Sequence, residues 1–203
     1  MSMYNPIHND IIQPLRIGLD LDGVLADFKQ GLVDYARDKE FDFFEHGTVW
    51  NNYYPVKYDM MEIIGGLPKN EEFWLGLSPC HRGYLTFKPS VYITSRRVDN
   101  AISLRWLQKW GYPTDDVPIV STDGKKSEAV REHELDIFVD DAIHHVQDIG
   151  TDTSCLPLLM LTSVTAREHL LMPRPYKTEK NNYQAVSSLA DIPELVKHKA
   201  IYE

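Results

Sequence analysis

The chain has 203 residues, of which 43% are hydrophobic and 25% are charged, and its formal net charge is −9. This length suits one domain with an insertion and leaves room for a sizeable core. The negative charge argues against a broad surface for a nucleic-acid polymer, but it is compatible with a local basic site for one phosphate.

The sequence also bears on compartment and assembly. No apolar run is long enough to span a bilayer, and the first residues lack the basic start and apolar core of a signal peptide. Cys80 and Cys155 show neither metal-binding nor disulfide spacing, which is typical of a reducing compartment. We therefore expect a cytoplasmic protein with no membrane partner. The oligomeric state stays open, a homodimer included.

Residues 1–14 are predicted to form a tail, and the first strand is predicted directly after it. Residues 16–28 have the sequence R-I-G-L-D-L-D-G-V-L-A-D-F. A short apolar run broken by two acids and a glycine is typical of a buried strand that ends in a turn. Asp20 and Asp22 would repel each other there unless a cation lies between them. Mg²⁺ is such a cation, since it commonly uses one or two carboxylates together with substrate phosphate.

Helical spacing of apolar residues predicts a helix over 28–39. The following residues, 40–79, are rich in aromatics and in turn residues, which indicates an insertion before the second strand. Aromatic side chains in such an insertion can stack on a nucleobase, or they can form a small core of the insertion itself.

The second half of the chain alternates between predicted strands and helices. Residues 90–97, S-V-Y-I-T-S-R-R, form an apolar strand that ends in hydroxyl side chains, and apolar runs predict further strands over 117–120, 137–139 and 156–161. Helices are predicted over 101–110 and after the turn at 123–125, with a short one over 193–199. His144 and His145 are expected on a helix in a surface or capping role. The alternation predicts an α/β fold with a doubly wound parallel sheet of four or five strands.

Asp140 and Asp141 directly follow the strand predicted over 137–139. Burial of two adjacent acids after an apolar strand is costly without a cation. Lys125 and Lys126 stand at a predicted helix start, where a lysine is mostly a surface residue but its charge is unfavourable unless an anion is near. These positions therefore join Asp20 and Asp22 as candidate site residues.

Three stretches resemble motifs of the haloacid dehalogenase-like phosphatases, and most closely those of the 5′(3′)-deoxyribonucleotidase branch. D-L-D-G-V-L-A-D-F is similar to the first motif, and S-V-Y-I-T-S-R-R is similar to the second. K-S-E-A-V-R-E followed by D-I-F-V-D-D is similar to the third and fourth motifs run together. The resemblance covers residues 17–161. It implies a Rossmann-like core formed by 15–28 and 80–203, with a small helical cap, 29–79, inserted after the first strand.

The resemblance also implies roles for individual residues. Asp20 corresponds to the nucleophile that becomes an aspartyl-phosphate, and Asp22 to the general acid/base. Thr94 would donate a hydrogen bond to a phosphate oxygen. Lys126, with Lys125 as the alternative, would neutralise the phosphate and the nucleophile. Mg²⁺ would be held by Asp20, Asp141 and the main-chain carbonyl of Asp22, with Asp140 in support.

Substrate contacts are implied at four further positions. Phe28 stands where the family has a substrate-stacking phenylalanine, and Trp74, with Phe73 as the alternative, lies in a segment similar to the nucleotidase branch. Ser95 and Arg96 adjoin Thr94, and a guanidinium fork at Arg96, or at Arg97, suits a phosphate or a sugar.

Together these features predict a Mg²⁺-dependent phosphomonoesterase that acts on nucleoside monophosphates, the deoxy forms included. Two alternatives stay open. The first is a related phosphatase for another small phosphoester, such as a sugar phosphate or a nucleic-acid 3′-phosphate end. The second is a non-catalytic protein that binds a phosphorylated ligand. Ala142 stands where close relatives often carry arginine, which leaves the choice of substrate open.

Overall fold

A computed structural model describes residues 15–38, 66–80, 85–161 and 183–193. The predicted tail 1–14 and residues 39–65 of the predicted cap lie outside this part, as does most of the helix predicted over 193–199. In the described part the sheet has six strands, in the order β3-β2-β1-β4-β5-β6, and all neighbours are parallel. They are β1 (Ile17–Leu19), β2 (Val91–Thr94), β3 (Ile119–Ser121), β4 (Ile137–Asp140), β5 (Leu156–Met160) and β6 (Gln184–Val186).

Five α-helices connect these strands within the described ranges. They are α1 (Phe28–Asp38), α2 (Glu71–Gly76), α3 (Asn100–Lys109), α4 (Lys126–Glu132) and α5 (Ile143–Asp152). The N-terminus of α3 is capped by Asp99, whose carboxylate accepts a hydrogen bond from the amide of Ala101 at 2.8 Å. Just beyond α3, Gly111 adopts a φ of 76°, a left-handed conformation that ends a helix at little cost. The helix predicted over 101–110 is thus confirmed.

The sheet is covered on both faces, which confirms the doubly wound α/β class. Leu19 and Val139 pack on one face in a cluster that includes Trp106 and Leu107 of α3. Phe138 faces the other side, in a cluster with side chains of α4 and α5. This alternation along β1 and β4 follows from the two-residue period of a strand, and burial on both faces explains why the strands read as continuous apolar runs.

The described residues of the predicted cap insertion share the main core. Leu32 of α1 and Phe73 and Trp74 of α2 belong to the same buried cluster as Leu19 of β1. The indole nitrogen of Trp106 donates a hydrogen bond to the carbonyl of Leu77 at 2.9 Å, which ties α3 to the end of α2. These parts of residues 29–79 are therefore anchored on the sheet domain.

Strand β6 was not predicted. Its sequence, Gln184–Val186, has three residues and a burial pattern with only the last one buried, so it carries neither an apolar run nor a clear alternation. It pairs with β5 at the edge of the sheet, where one neighbour is enough to define a strand. No helix in the described ranges is long and apolar enough to cross a bilayer.

The order of the strands fixes where a site can form. β1 lies between β2 and β4, so the chain leaves β1 to one side for its next strand and later returns on the other side. At such a switch point the loops that follow neighbouring strands diverge and leave a crevice at their carboxyl ends. Asp20 follows β1, and Asp140 and Asp141 lie at and beyond the end of β4.

Candidate active site

Asp20 is fixed at the end of β1 by its main chain and its side chain. Its amide donates a hydrogen bond to the carbonyl of Val139 at 2.9 Å, which continues the pairing of β1 with β4. One carboxylate oxygen accepts a hydrogen bond from the amide of Leu21 at 2.7 Å. The side chain is buried, so its orientation is set by the sheet.

Lys126, the first residue of α4, brings a buried positive charge to two of the acids. Its ammonium nitrogen lies 2.8 Å from Oδ1 of Asp20 and 2.8 Å from Oδ2 of Asp140. Burial alone would lower the pKa of Lys126, but the charges of Asp140 and Asp20 raise it above its usual range. The lysine is therefore charged. Lys125, the alternative considered from the sequence, is exposed.

Both carboxylate oxygens of Asp140 have partners within the protein. Besides Lys126, it accepts a hydrogen bond from the amide of Ala142 at 2.8 Å and contacts Nδ1 of His145 at 3.1 Å. Burial would raise its pKa, but Lys126 and His145 hold the pKa of Asp140 well below its usual range. Asp140 is thus a fixed negative charge that orients Lys126.

His145 corrects one expectation. Its side chain on α5 is largely buried and its ring contacts Asp140, so it belongs to the site rather than to the surface. His145 lies five residues beyond Asp140, the last residue of β4, in the first turn of α5, and this spacing was the signal that the sequence offered. His144 is exposed, as expected.

Asp141 lies at the more open side of the cluster. Its Oδ2 is 3.1 Å from the ammonium nitrogen of Lys29, the second residue of α1. Burial raises the pKa of Asp141, against the effect of Lys29. Gly23 has a φ of 80°, and a Cβ at that position would collide with the Asp141 carboxylate. The glycine is therefore needed for the turn and for the close approach of Asp141.

The cluster suits a hard divalent cation. Asp20, Asp140 and Asp141 each offer a carboxylate oxygen, and these atoms lie within 4.8 Å of one another. Burial raises the pKa of Asp20 well above its usual range, against the pull of Lys126, and the charges of Asp140 and Asp22 raise it further. A bound cation would relieve this excess of negative charge, and an all-oxygen donor set is the kind that Mg²⁺ prefers.

Asp22 and Arg96 form a bidentate ion pair. Nε of Arg96 donates to Oδ2 of Asp22 at 2.9 Å, and Nη2 donates to Oδ1 at 2.6 Å. The guanidinium is also 4.9 Å from the centre of the Trp74 ring and 5.5 Å from that of Trp106. In this arrangement the guanidinium of Arg96 is held by protein groups, and the substrate contact expected from the sequence stays a prediction.

The two aromatic positions expected at the substrate differ in exposure. Trp74 is only 5% exposed, and its indole nitrogen donates to the carbonyl of Leu67 at 2.8 Å. Trp74 is thus almost fully buried in this structure, and its contact with a base stays a prediction. Phe28 is partly buried and stacks on Trp74, with ring centres 5.6 Å apart and an interplanar angle of 15°.

The second-motif hydroxyls lie at the carboxyl end of β2, the neighbour of β1. Thr94 is buried, and its hydroxyl oxygen accepts a hydrogen bond from the amide of Arg96 at 3.2 Å. Ser95 is exposed. Both therefore lie at the same edge of the sheet as Asp20, which is the edge where a ligand would bind.

No protein-family model matches the chain, and no curated protein matches it either. The chemistry of the site is therefore inferred from its own geometry and motifs.

Proposed function

We propose that the protein is a Mg²⁺-dependent phosphomonoesterase that works through an aspartyl-phosphate on Asp20 and acts on nucleoside monophosphates, the deoxy forms included. One observation carries the proposal. The Lys126 ammonium bridges Asp20 and Asp140 beside Asp141, at the switch point of a parallel sheet. A buried cation next to an acid and a metal-compatible cluster is an arrangement suited to phosphoryl transfer.

The mechanism makes Asp20 the nucleophile and Asp22 the general acid and then the general base. A carboxylate oxygen of Asp20 attacks phosphorus and forms the aspartyl-phosphate as the ester P–O bond breaks. The proton of Asp22 moves to the leaving oxygen, so the alcohol departs neutral and Asp22 becomes a carboxylate. Asp22 then takes a proton from a water molecule, whose oxygen attacks phosphorus and releases inorganic phosphate and the Asp20 carboxylate.

The remaining residues bind and orient the substrate phosphate. Lys126 offsets the negative charge on Asp20 and on the transferring phosphoryl group. The hydroxyl of Thr94 would donate to a phosphate oxygen at the end of β2. Asp20, Asp141 and the Asp22 carbonyl would hold Mg²⁺, with Asp140 in support, and the ion would supply charge stabilisation and alignment of the phosphate.

A related phosphatase for another small phosphoester is the second candidate, and the burial of Trp74 favours it. With that indole 5% exposed, stacking of a nucleobase rests mainly on Phe28 among the aromatic side chains considered. We also propose a reducing, cytoplasmic setting, because Cys80 and Cys155 show neither metal-binding nor disulfide spacing in the sequence.

The test is a phosphate-release screen over nucleoside monophosphates, sugar phosphates and a chromogenic phosphate ester, with Mg²⁺ and with a chelator. We expect turnover only with Mg²⁺, and highest kcat/KM on nucleotides. Asp20→Asn should lower kcat by at least about 1,000-fold while it leaves the fold intact, because it removes the nucleophile. Asp148→Asn, an exposed change on α5, serves as the matched control.

Two results would contradict the proposal. Wild-type protein that releases phosphate from no member of the panel with Mg²⁺ present would reject the phosphatase. Asp20→Asn turnover within tenfold of wild type would reject Asp20 as the nucleophile. A higher kcat/KM on sugar phosphates than on nucleotides would leave the proposed reaction in place and would change the proposed substrate class to sugar phosphates.

A further inference from the structure

Arg96 is a buried cation that the proposed reaction does not use. It follows β2 by two residues, at the edge of the sheet where the carboxylates gather, yet its side chain is 0% exposed. Both of its hydrogen bonds to Asp22 are short, at 2.9 Å and 2.6 Å, and they engage both carboxylate oxygens. A fork of this kind fixes the plane of the carboxylate as well as its distance.

Three residues on two helices hold the guanidinium in place. Trp74 of α2 and Trp106 of α3 lie within 4.9 Å and 5.5 Å of it, distances at which a cation is attracted to an aromatic ring. Ser103, also on α3, lies 3.5 Å from Nη1. Each tryptophan is fixed in turn, by indole hydrogen bonds to Leu67 and Leu77. The position of Arg96 is therefore set by the packing of α2 and α3.

We propose that Arg96 is the positioning residue of Asp22: it holds the carboxyl group in the orientation needed for proton transfer, and it does not bind substrate. This inference rests on the proposed function. In this structure both carboxylate oxygens of Asp22 accept from guanidinium nitrogens. A protonated Asp22 can still accept from Arg96 at one oxygen while the other oxygen donates its proton to the leaving group.

The leaving group provides a direct readout. An aliphatic alcohol needs a proton to depart, whereas p-nitrophenol departs readily as an anion, so only the first depends on the proton of Asp22. The quantity kcat/KM reports the steps up to departure of the alcohol, and later hydrolysis of the aspartyl-phosphate does not enter it. Misplacement of Asp22 should therefore lower kcat/KM selectively for alkyl phosphates.

The experiment measures kcat/KM on p-nitrophenyl phosphate and on a nucleoside 5′-monophosphate, together with inhibition by inorganic phosphate. The variants are Arg96→Lys, Arg96→Gln and Asp22→Asn, with Arg131→Gln, an exposed change on α4, as the matched control. For the Arg96 variants we expect a loss of about 10- to 100-fold on the nucleotide and less than about threefold on the p-nitrophenyl ester. Inhibition by phosphate should not change, and Asp22→Asn should show the same selectivity more strongly.

A further variant tests the same positioning role without a substitution at Arg96 or Asp22. Trp74→Leu leaves Arg96 and Asp22 in the sequence and removes one ring that holds the guanidinium. It should show the same selectivity with a smaller loss of about three- to fivefold on the nucleotide. Melting temperatures of all variants identify the folded ones, and the conclusion is drawn from those.

The outcomes separate this inference from the function on which it rests. Equal losses on both esters, or weaker inhibition by phosphate, would overturn the positioning role and assign Arg96 to packing or to phosphate binding. If Asp22→Asn is selective and the folded Arg96 and Trp74 variants are not, the inference fails while the phosphatase stands. A wild type inactive on both esters overturns the proposed function and this inference with it.

Discussion

The ammonium nitrogen of Lys29 lies 3.1 Å from Oδ2 of Asp141, and only 23% of the lysine side chain is exposed. The same carboxylate belongs to the cluster that could hold a cation with Asp20 and Asp140. Lys29 and a divalent ion would therefore compete for Asp141. The sequence did not mark Lys29, because a lysine in the first turn of a helix resembles an ordinary surface residue.

The first prediction follows from this competition. Lys29→Met should tighten Mg²⁺ binding by about three- to tenfold, because it removes a positive charge next to one ligand at a partly exposed position. Titration calorimetry of Mg²⁺ into the substrate-free protein, with Asp20 intact, measures this affinity without any assay of turnover. Lys88→Met, an exposed change away from the cluster, is the control. Unchanged or weaker Mg²⁺ binding in Lys29→Met would show that Lys29 does not oppose the ion.

The second prediction concerns pH. The pKa values of Asp20 and Asp141 are raised in the folded state, mainly by burial, so the native protein keeps protons that the unfolded chain has released. Stability therefore falls as pH rises from about 4 through the folded pKa values, and then levels off. Denaturant unfolding without metal, at several pH values, measures this slope.

Two comparisons identify which groups cause this dependence of stability on pH. Mg²⁺ should raise the free energy of unfolding more at high pH than at low pH, because ions and protons compete for the same oxygens. Asp141→Asn should reduce the slope without metal. His144, whose pKa is lowered by burial and by His145, contributes with the opposite sign and is unchanged in this comparison. A slope that is the same in wild type and Asp141→Asn would contradict the prediction.

The third prediction concerns Phe28. If its ring stacks on a nucleobase, Phe28→Ala should lower kcat/KM on nucleotides by about 5- to 150-fold, since stacking on one base is worth about 1–3 kcal/mol. An ester without a base, such as p-nitrophenyl phosphate, should lose much less. Phe28→Leu keeps most of the packing against Trp74 and should retain the fold. Equal losses on both substrates would assign Phe28 to packing.

Local pattern was enough to predict most of the sheet and the acidic part of the site. The runs that precede Asp20 and Asp140 are short, apolar and buried on both faces. Each ends in acidic residues, whose burial in a core costs free energy unless they are paired with a positive charge. Lys126 was predicted from the resemblance of K-S-E-A-V-R-E to the family's third motif, with slight support from the unfavourable charge of a lysine at a helix start, and it lies 2.8 Å from an oxygen of Asp20 and of Asp140.

What the sequence could not provide were pairings between distant residues. Arg96 and Asp22 are 74 positions apart, and no local pattern tells a buried guanidinium fork from a substrate ligand. The burial of Trp74 likewise depends on how α2 packs on α3. β6 was not predicted because a three-residue edge strand is recognised by its hydrogen bonds to the neighbouring strand and not by a pattern in its own sequence.

The position of β1 between β2 and β4 has a consequence during synthesis of the chain. Ile17 of β1 pairs with Ile137, so the ribosome must add about 120 residues before β1 finds its second neighbour. A nascent chain that ends after β3 has β1 as an open edge, with hydrogen-bonding groups that invite pairing with other chains. Asp20 meets Lys126 and Asp140 only when β4 adds to that edge. Addition of β4 is thus the step that covers this edge of β1 and brings Asp20 and Asp140 together, and β5 and β6 then extend the sheet on the far side of β4.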